Sequence, residues 1–197
     1  MPYETRFIIK AFYFVRDSNI RVNKTLGVSP AKEGHFFYIA AYNVCMNIQI
    51  KHFNELERLE LYRLIQLRIN VFIVEQNCPY PELDDKDLVS YHVMIWEGET
   101  LIAVTRLVPP GISYTNYASI GRVATHVNFR GSGLGKLVMT ESIKACEALF
   151  PGYNIKISAQ AYLVAFYEAF GFDKIGSEYL EDNIPHLAMI RHSIQRA

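Results

Sequence analysis

The sequence predicts one α/β domain in which helices flank a mixed, mostly antiparallel β-sheet. Three observations lead to this prediction. A length of 197 residues has room for one ordinary domain, and 50% hydrophobic with 20% charged residues is the composition of a globular protein with a sizeable core. From residue 46 onward, apolar residues recur with a period of 2 in some stretches and 3.6 in others. These stretches follow one another in the order β-α-β-β-β-α-β-α-β-β.

The first periodic elements are a strand, a helix and an acidic loop. Residues 47–53 (NIQIKHF) alternate as a strand, and residues 55–76 form a helix with one apolar face. Arg68 and Glu75 fall on that same face, so two charges share an otherwise apolar stripe. Residues 77–87 (NCPYPELDDKD) contain two prolines and an acidic run, which predicts a loop. The apolar members of the stripe are Leu61, Leu64, Ile65 and Phe72.

The middle of the chain predicts three strands and a long helix. Residues 91–97 and 100–108 flank the turn residues Gly-Glu and read as a hairpin, and residues 119–127 (SIGRVATHV) form the next strand. A glycine-rich turn then opens a helix over residues 134–150. A Pro-Gly pair at 151–152 ends this helix.

The last part of the chain predicts a strand, a short helix and two further strands. The strand covers residues 154–160, and the helix over residues 162–170 ends at Gly171. The final strands are predicted at residues 172–180 and 187–194.

Residues 1–45 differ from the rest of the chain because neither period persists there. We expect them to be a dispensable, poorly ordered N-terminal extension, with residues 46–197 forming the domain. Met46 is a candidate native start, which would make the upstream residues a mis-called extension. The alternative is a real segment that packs through its aromatic side chains.

Charge and cysteine content exclude several classes of protein. The formal net charge is zero, so no basic field suggests a nucleic-acid or membrane partner. Cys45, Cys78 and Cys146 are widely spaced without a CxxC pair, which argues against a disulfide framework and a zinc site. The apolar stretch 7–15 contains Lys10 and is too short to span a bilayer. We therefore expect a cytoplasmic protein that binds no metal, nucleic acid or membrane.

Residues 128–137 (NFRGSGLGKL) place three glycines between a strand and a helix. Such a turn aims backbone N–H groups and the positive end of a helix dipole at one point, which favours a phosphate or pyrophosphate. The Walker pattern fails, because Arg130 replaces its first glycine and Leu137 replaces the Ser/Thr that binds Mg²⁺. The dinucleotide pattern also fails, because the spacing is GxGxG and the next strand ends in no acidic residue. A tight surface turn is the alternative for the glycines taken alone.

Read as Arg-x-x-Gly-x-Gly, residues 130–135 resemble the pyrophosphate-binding turn of the GNAT superfamily of acyl-CoA N-acyltransferases. Residues 165–172 (AFYEAFGF) place Tyr167 four residues before Gly171, where that superfamily carries its general acid. The order of strands and helices is similar too. The ElaA-type branch is similar over residues 47–192, and DNIPHLAM near the C-terminus is one of the matching segments.

The resemblance implies a GNAT-like domain that transfers an acetyl group from acetyl-CoA, its cosubstrate, directly to a primary amine. It implies that Tyr167 protonates the departing sulfur and that backbone N–H groups around Val123 to Thr125 stabilise the oxyanion. Gln160 stands where many members have an Asn that meets the cofactor. The residues expected to bind acetyl-CoA are Val123, Ala124, Thr125, Arg130, Gly131, Ser132, Gly133, Leu134, Gly135, Lys136 and Gln160.

Deprotonation of the amine is the largest burden of this reaction. A lysine-like amine with a pKa of ~10.4 requires roughly 4.6 kcal/mol to become neutral at pH 7. Glu75 is our candidate base, directly or through water, and we expect Arg68, Asp84, Asp87 and His92 to contact a cationic acceptor. The alternative for Arg68 and Glu75 is a buried ion pair that ties the helix to the sheet or to the acidic loop.

Other functions stay open at this point. A non-catalytic acyl-CoA sensor would use the same fold, with Tyr167 as a core aromatic, and a nucleotide-binding α/β protein is a third possibility. Cys78 with His92 or His186 as its base would make a nucleophilic pair, but nothing local orients them, so a small buried residue is favoured for Cys78. The expected assembly is a monomer or a homodimer.

Overall fold

A nine-stranded mixed sheet organises the computed structural model, which describes residues 11–14, 21–24 and 45–193. Its strands are β1 (Ala11–Phe14), β2 (Arg21–Lys24), β3 (Cys45–His52), β4 (Tyr91–Glu97), β5 (Thr100–Val108), β6 (Tyr117–Thr125), β7 (Asn154–Gln160), β8 (Asp173–Glu181) and β9 (Ile184–Arg191). The strand order is β1-β2-β3-β4-β5-β6-β7-β9-β8, and all neighbours are antiparallel except β6 and β7. The predicted mixed, mostly antiparallel sheet is confirmed.

Three α-helices accompany the sheet in the described part of the chain: α1 (Arg58–Arg68), α2 (Leu134–Leu149) and α3 (Val164–Glu168). A π-helix, Ile69–Glu75, continues α1 without a break. The order of elements from β3 onward is the predicted one. Across the described ranges, no helix has both the length and the apolar character needed to cross a membrane.

Helices cover both faces of the central strands. In β4, Val93 and Ile95 pack in the cluster that includes α2, whereas Met94 and Trp96 pack in the cluster that includes α1. Alternate residues of a strand point to opposite faces, so a strand that is covered on both sides needs apolar residues at every position. This explains why β4 and β5 read as nearly continuous apolar runs.

The sheet opens between β6 and β7. These parallel strands pair only at Tyr117 with Asn154 and at Ala118 with Ile155. Beyond Ala118 the two strands diverge, so the edge of β6 that faces β7 is left unpaired within the sheet. A cleft in the middle of the molecule is the consequence, because β7 continues with β9 and β8 on the far side.

Two strands lie in the segment that the sequence predicted to be irregular. β1 pairs with β2, and β2 pairs with the outer edge of β3 through Arg21 with Asn47 and Val22 with Met46. The other residues before Cys45 lie outside the described residues. The expectation that residues 1–45 are dispensable therefore stays a prediction.

The buried face of the first helix differs from the predicted apolar face towards the C-terminal end of the helix. Leu64 is buried as expected, while Leu67 and Val71 are the other buried apolar residues, and Arg68 is 0% exposed. Glu75 is exposed, so it does not share the face of Arg68. The physical reason is the π-helix, whose i→i+5 bonds put more residues in each turn and rotate Glu75 away from the α-helical position.

Candidate active site

A cavity of about 410 Å³ occupies the cleft between β6 and β7. Residues of β5 to β9, of α3 and of the loop that precedes β4 line it. The cavity therefore lies where the fold interrupts its own sheet, and the loop before β4 and the β8–β9 hairpin form two of its walls. Side chains that face it include Val123, Ser158, Gln160, Tyr167 and His186.

Tyr167 projects from α3 into this cavity. Its ring packs edge-on against Phe166 and Phe172, with centroids 5.1 and 6.1 Å away, and the residue is 8% exposed. Among the described residues, nothing forms a hydrogen bond with its hydroxyl group. Burial raises the pKa of Tyr167 to about 12, so the phenol keeps its proton at neutral pH. The arrangement suits a proton donor to a group bound in the cavity.

A β-bulge shapes the wall that β6 contributes. The pairing of β5 with β6 shifts register between Val104 and Arg106, and Arg122 has a positive φ of 52°. Arg122 and Val123 therefore have no partner in the ladder, and both line the cavity. A bulge interrupts the ladder, so Val123 is the position on β6 at which a backbone N–H would meet an oxyanion in the cavity. Ala124 and Thr125 stay in register with β5.

The glycine turn leads from β6 into α2. Gly131 and Gly133 have φ values of 76° and 85°, which side chains other than glycine adopt at a cost, and a Cβ at either position would meet no atom within 4 Å. The glycines are therefore required for backbone conformation. Leu134 opens α2 without a side-chain cap, so the first N–H groups of the helix are free to bind an anion. Ser132 and Lys136 are exposed at this turn.

Arg130 fixes the glycine turn to two other elements. Its Nε and Nη2 atoms donate to the carbonyl oxygen of Thr125 at 3.2 and 3.0 Å. Its Nη2 atom also lies 2.8 Å from Oε2 of Glu75, at the end of the π-helix. The predicted neighbour of Glu75 was Arg68, and this prediction is wrong. In addition, Glu75 is absent from the described residues that line the cavity with Tyr167, so its proposed role as base has no support from its position.

The acidic loop is pinned to α1 by Arg68. The Arg68 Nε donates to Oε1 of Glu82 at 2.5 Å, and its Nη1 and Nη2 donate to the two carboxylate oxygens of Asp87 at 2.6 and 3.1 Å. Burial alone would lower the pKa of Arg68, but hydrogen bonds and charge from Asp87 and Glu82 raise it. Arg68 is therefore a buried cation held by the acidic loop, and its partners are Glu82 and Asp87 in place of the Glu75 of the structural alternative.

Two further arginines neutralise the same loop. Arg106 donates to both oxygens of Asp84 at 2.6 and 2.9 Å, and Arg122 donates to Oε2 of Glu82 at 2.7 Å. Burial would raise the pKa of Asp84, but the hydrogen bonds and charge of Arg106 outweigh it and lower the pKa to about 2. Asp84 lines the cavity, yet it is a weak base.

Three predicted acceptor contacts do not reach the cavity. Arg68 and His92 are each 0% exposed, and Asp87 is 7% exposed and paired with Arg68. A side chain without exposed surface cannot touch a substrate, so the predictions for Arg68 and His92 are wrong, and Asp87 positions Arg68. Burial lowers the pKa of His92 to about 4, so the imidazole is neutral at pH 7.

Gln160 links the two sides of the cleft. Its Nε2 donates to Oε1 of Gln76 at 3.0 Å, while its Oε1 accepts from the hydroxyl of Tyr162 at 2.5 Å. Gln160 thus lines the cavity with its amide already hydrogen-bonded.

Sequence reasoning gave too little weight to the β8–β9 hairpin. Glu181 and His186 line the cavity, and the only signal for them was their place in or beside the segment DNIPHLAM. Cys78 and Cys146 are free thiols, and the Cys78 thiol donates to the carbonyl oxygen of Asp182 at 3.6 Å. Within the described ranges, no group of three or more His, Cys, Asp or Glu side chains is arranged to hold a metal ion.

The cleft thus brings a tyrosine and a bulged strand next to a glycine turn at a helix N-terminus, an arrangement suited to transfer of an acyl group from a phosphate-bearing carrier. A family model described as "Acetyltransferase (GNAT) domain" matches residues 75–192, and the chain belongs to this family.

Relatives of known structure share the fold and much of the sequence. Escherichia coli ElaA is 38% identical over 146 residues, which cover 73% of this chain and 95% of ElaA. A crystal structure of Escherichia coli ElaA aligns with a TM-score of 0.69 over 74% of this chain and 99% of that chain. A crystal structure of an acyl-CoA N-acyltransferase from Pseudomonas aeruginosa aligns with a TM-score of 0.71 at 41% identity, over 74% of this chain and 99% of that chain.

Proposed function

We propose that the protein transfers an acetyl group from acetyl-CoA directly to a primary amine. One observation carries this proposal: Tyr167 and Val123 line the same cavity. Among the described residues, the Tyr167 hydroxyl has no hydrogen-bond partner, and Val123 lies in the β6 bulge, outside the register with β5. Acyl transfer from a thioester needs an acid for the leaving sulfur and a donor for the oxyanion, and these two groups supply both.

Acetyl-CoA is proposed to place its pyrophosphate on the turn from Arg130 to Lys136. The free N–H groups at the start of α2 and the positive end of its dipole favour an anion there. Arg130 is held by Thr125 and Glu75, so it keeps the turn in position while its guanidinium stays partly exposed. Val123 to Thr125 and Gln160 would meet the part of the cosubstrate that enters the cleft.

The acceptor is proposed to be a cationic amine of small size. Three carboxylates (Asp84, Glu181 and Asp182) and three cations (Lys86, Arg106 and Arg122) line the cavity. The cations all lie within ion-pair distance of Asp84, so Glu181 and Asp182 on the β8–β9 hairpin are the carboxylates proposed to meet the amine. Direct transfer is favoured over a covalent enzyme intermediate, because the Cys78 thiol donates to a backbone carbonyl and no hydrogen bond joins it to a base among the described residues. The proposal includes a cytoplasmic location, a monomer or homodimer, and no nucleic-acid or membrane partner.

Turnover of acetyl-CoA tests this function. Purified protein is incubated with acetyl-CoA and each member of a panel of 1,4-diaminobutane, phenethylamine, lysine and a lysine-containing peptide, and free thiol is followed with a thiol reagent. Amine-dependent thiol release supports the proposal. Acetyl-CoA binding by calorimetry with no release for any amine would instead favour the non-catalytic sensor, and binding of ATP or NADH in place of coenzyme A would favour a nucleotide-binding protein.

A further inference from the structure

We propose that His186 is the general base of the acyl transfer and takes the proton of the attacking amine at its Nε2 atom. This inference rests on the proposed function and fills the one role in that reaction that the predicted residues leave empty. Glu75 is bound to Arg130 away from the lining of the cavity, and His92 is fully buried. Asp84 lines the cavity but is held by Arg106. His186 lines the same cavity as Tyr167 and is half-buried.

The hydrogen bond of His186 assigns its tautomer. The Nδ1 atom lies 2.8 Å from the carbonyl oxygen of Ile184. A carbonyl oxygen only accepts hydrogen bonds, so Nδ1 carries the proton in the neutral ring. Nε2 then carries the lone pair. Among the described residues, no hydrogen bond engages Nε2, which leaves it free to accept a proton from a ligand.

The strands around His186 hold its ring in place. It lies opposite Gln160 on β7 and opposite Tyr179 on β8, so all three side chains share one face of the sheet. The ring of Tyr179 stacks on the imidazole, with centroids 6.3 Å apart and an interplanar angle of 26°. Ser158 Oγ donates to Oε2 of Glu181 at 2.7 Å, so the Tyr179 hydroxyl, 2.6 Å from the same Oγ, is the donor in that contact. The Tyr179 hydroxyl and the Glu181 carboxylate are thus both hydrogen-bonded to Ser158, and neither forms a hydrogen bond with Nε2.

The titratable groups that face His186 come from three elements. β8 contributes Tyr179 and Glu181, the hairpin turn contributes Asp182, and α3 contributes Tyr167. β7 contributes only neutral side chains at this position, Ser158 and Gln160. Glu181 is the competing base, because its carboxylate lies on the strand paired with β9 and lines the same cavity.

The proposed step balances as follows. The ammonium of the acceptor first gives one proton to His186 Nε2, which releases it to water. The lone pair of the neutral amine then forms a bond to the thioester carbonyl carbon, and the carbonyl π electrons move onto oxygen, which would face the Val123 N–H. The second N–H proton passes to His186 Nε2. The electron pair on oxygen re-forms the C=O bond as the C–S bond breaks with its electron pair on sulfur, which takes the proton of the Tyr167 hydroxyl. The imidazolium returns its proton to the phenolate through water in the cavity, which restores both side chains.

The first test is the pH profile of kcat/KM for His186→Gln. The control is His192→Gln, an exposed histidine just beyond β9. With acetyl-CoA and 1,4-diaminobutane, the parent profile should rise with pH and level off once the base has lost its proton. His186→Gln should be about 100-fold or more slower at pH 7 and keep rising towards the pKa of the amine, since only amine that is already neutral reacts. Coenzyme A affinity and melting temperature should stay at parental values.

The second test observes the tautomer without turnover. Nitrogen-15 NMR of the histidine side chains, with His186 assigned by the His186→Gln spectrum, should show protonated Nδ1 and unprotonated Nε2. An Nε2–H tautomer would overturn the assignment. So would an active parent whose pH profile is unchanged in His186→Gln but altered in Glu181→Gln. A parent that releases no thiol with any amine overturns the proposed function itself, and this proposal with it.

Discussion

A single hydroxyl group, that of Tyr167, carries the acid role in the proposed reaction. Replacing Tyr167 by Phe removes this hydroxyl, which has no hydrogen-bond partner in the described structure, and keeps the ring contacts with Phe166 and Phe172. We expect kcat to fall by about 10 to 100-fold, at the modest end for an acid because a thiolate is already a fair leaving group. Coenzyme A affinity by calorimetry should be unchanged. Full turnover in Tyr167→Phe would make the residue a core aromatic.

Two substitutions of Gly133 separate the effect of backbone strain on coenzyme A affinity from the effect of a negative charge. Its φ of 85° makes any side chain cost about 1–2 kcal/mol, and a Cβ there meets no neighbour within 4 Å. Gly133→Ala should therefore show the strain alone. Gly133→Glu adds a negative charge where the pyrophosphate is expected, so we predict a further loss of tenfold or more in coenzyme A affinity, about 1.4 kcal/mol. Equal affinities of the Ala and Glu variants in calorimetry would place the pyrophosphate elsewhere.

His92 makes folding sensitive to mild acid. Burial, with Arg68 and Arg106 nearby, lowers its pKa in the folded protein from 6.5 to about 4. Between pH 6.5 and about 4, His92 is protonated in the unfolded chain but stays neutral in the folded protein. The free energy of unfolding therefore falls as the pH drops through this range. The loss reaches up to about 3 kcal/mol at the lower end of this window.

Urea unfolding at several pH values measures this effect. His92→Leu should flatten the decline between pH 6.5 and 4, whereas the exposed control His192→Gln should keep the parental slope. The pKa of Asp84 and of Asp87 is lowered from 3.8, so their own acid-dependent losses begin near about pH 5 and grow below it. The contribution of His92 is therefore compared between the variants from pH 6.5 down to about pH 5. A parental slope in His92→Leu would mean that other groups cause the acid sensitivity.

At the scale of elements, the loop between the π-helix and β4 is held by one carboxylate that three elements share. Glu82 contacts Arg68 of α1, Arg122 of the β6 bulge and Tyr80 of its own loop. It therefore couples the wall of the cavity to the strand that would hold the oxyanion. Glu82 is 6% exposed and Arg68 is 0% exposed, so loss of the Glu82 charge leaves the Arg68 guanidinium short of a partner in a dry environment.

Glu82→Gln should reduce the free energy of unfolding by about 3 kcal/mol or more, because one partner of a buried ion pair is removed. The melting temperature should fall by about 6 °C or more. The control is Glu168→Gln, which breaks the exposed pair with Lys174 and should cost less than about 1 kcal/mol. Similar melting temperatures for both variants would show that the buried network contributes little to stability.

At the scale of the whole molecule, the described lining of the cavity comes from the domain after residue 45. The described lining residues lie between positions 72 and 186, and β1 and β2 extend the sheet beyond β3. We predict that a chain of residues 46–197 folds and keeps the turnover of the full-length protein, measured side by side. The melting temperature should change by less than about 4 °C, equivalent to 1 kcal/mol or so. Loss of turnover or a larger shift would mean that the segment packs on the domain.

The sequence by itself determined the order of the elements from β3 onward and the position of the glycine turn that we propose binds an anion. Both depend on neighbouring residues: a period of 2 or 3.6 follows from local backbone geometry, and Gly131 and Gly133 are needed because that turn has positive φ values. Tyr167 could be placed in the same way, because it precedes the helix-ending Gly171 by a fixed number of residues and the family resemblance assigned it a role.

Only the tertiary structure decided which charges meet. Arg68 forms ion pairs with Glu82 and Asp87. Glu75 forms its ion pair with Arg130, whereas the spacing along the helix had predicted that Glu75 lies beside Arg68. The π-helix that separates them leaves no clear period in the sequence, and ion pairs between distant segments depend on how strands and loops pack. His186 faces the cavity for the same reason: the pairing of β9 with β7 and β8, which spans distant parts of the chain, sets which side of the sheet it occupies.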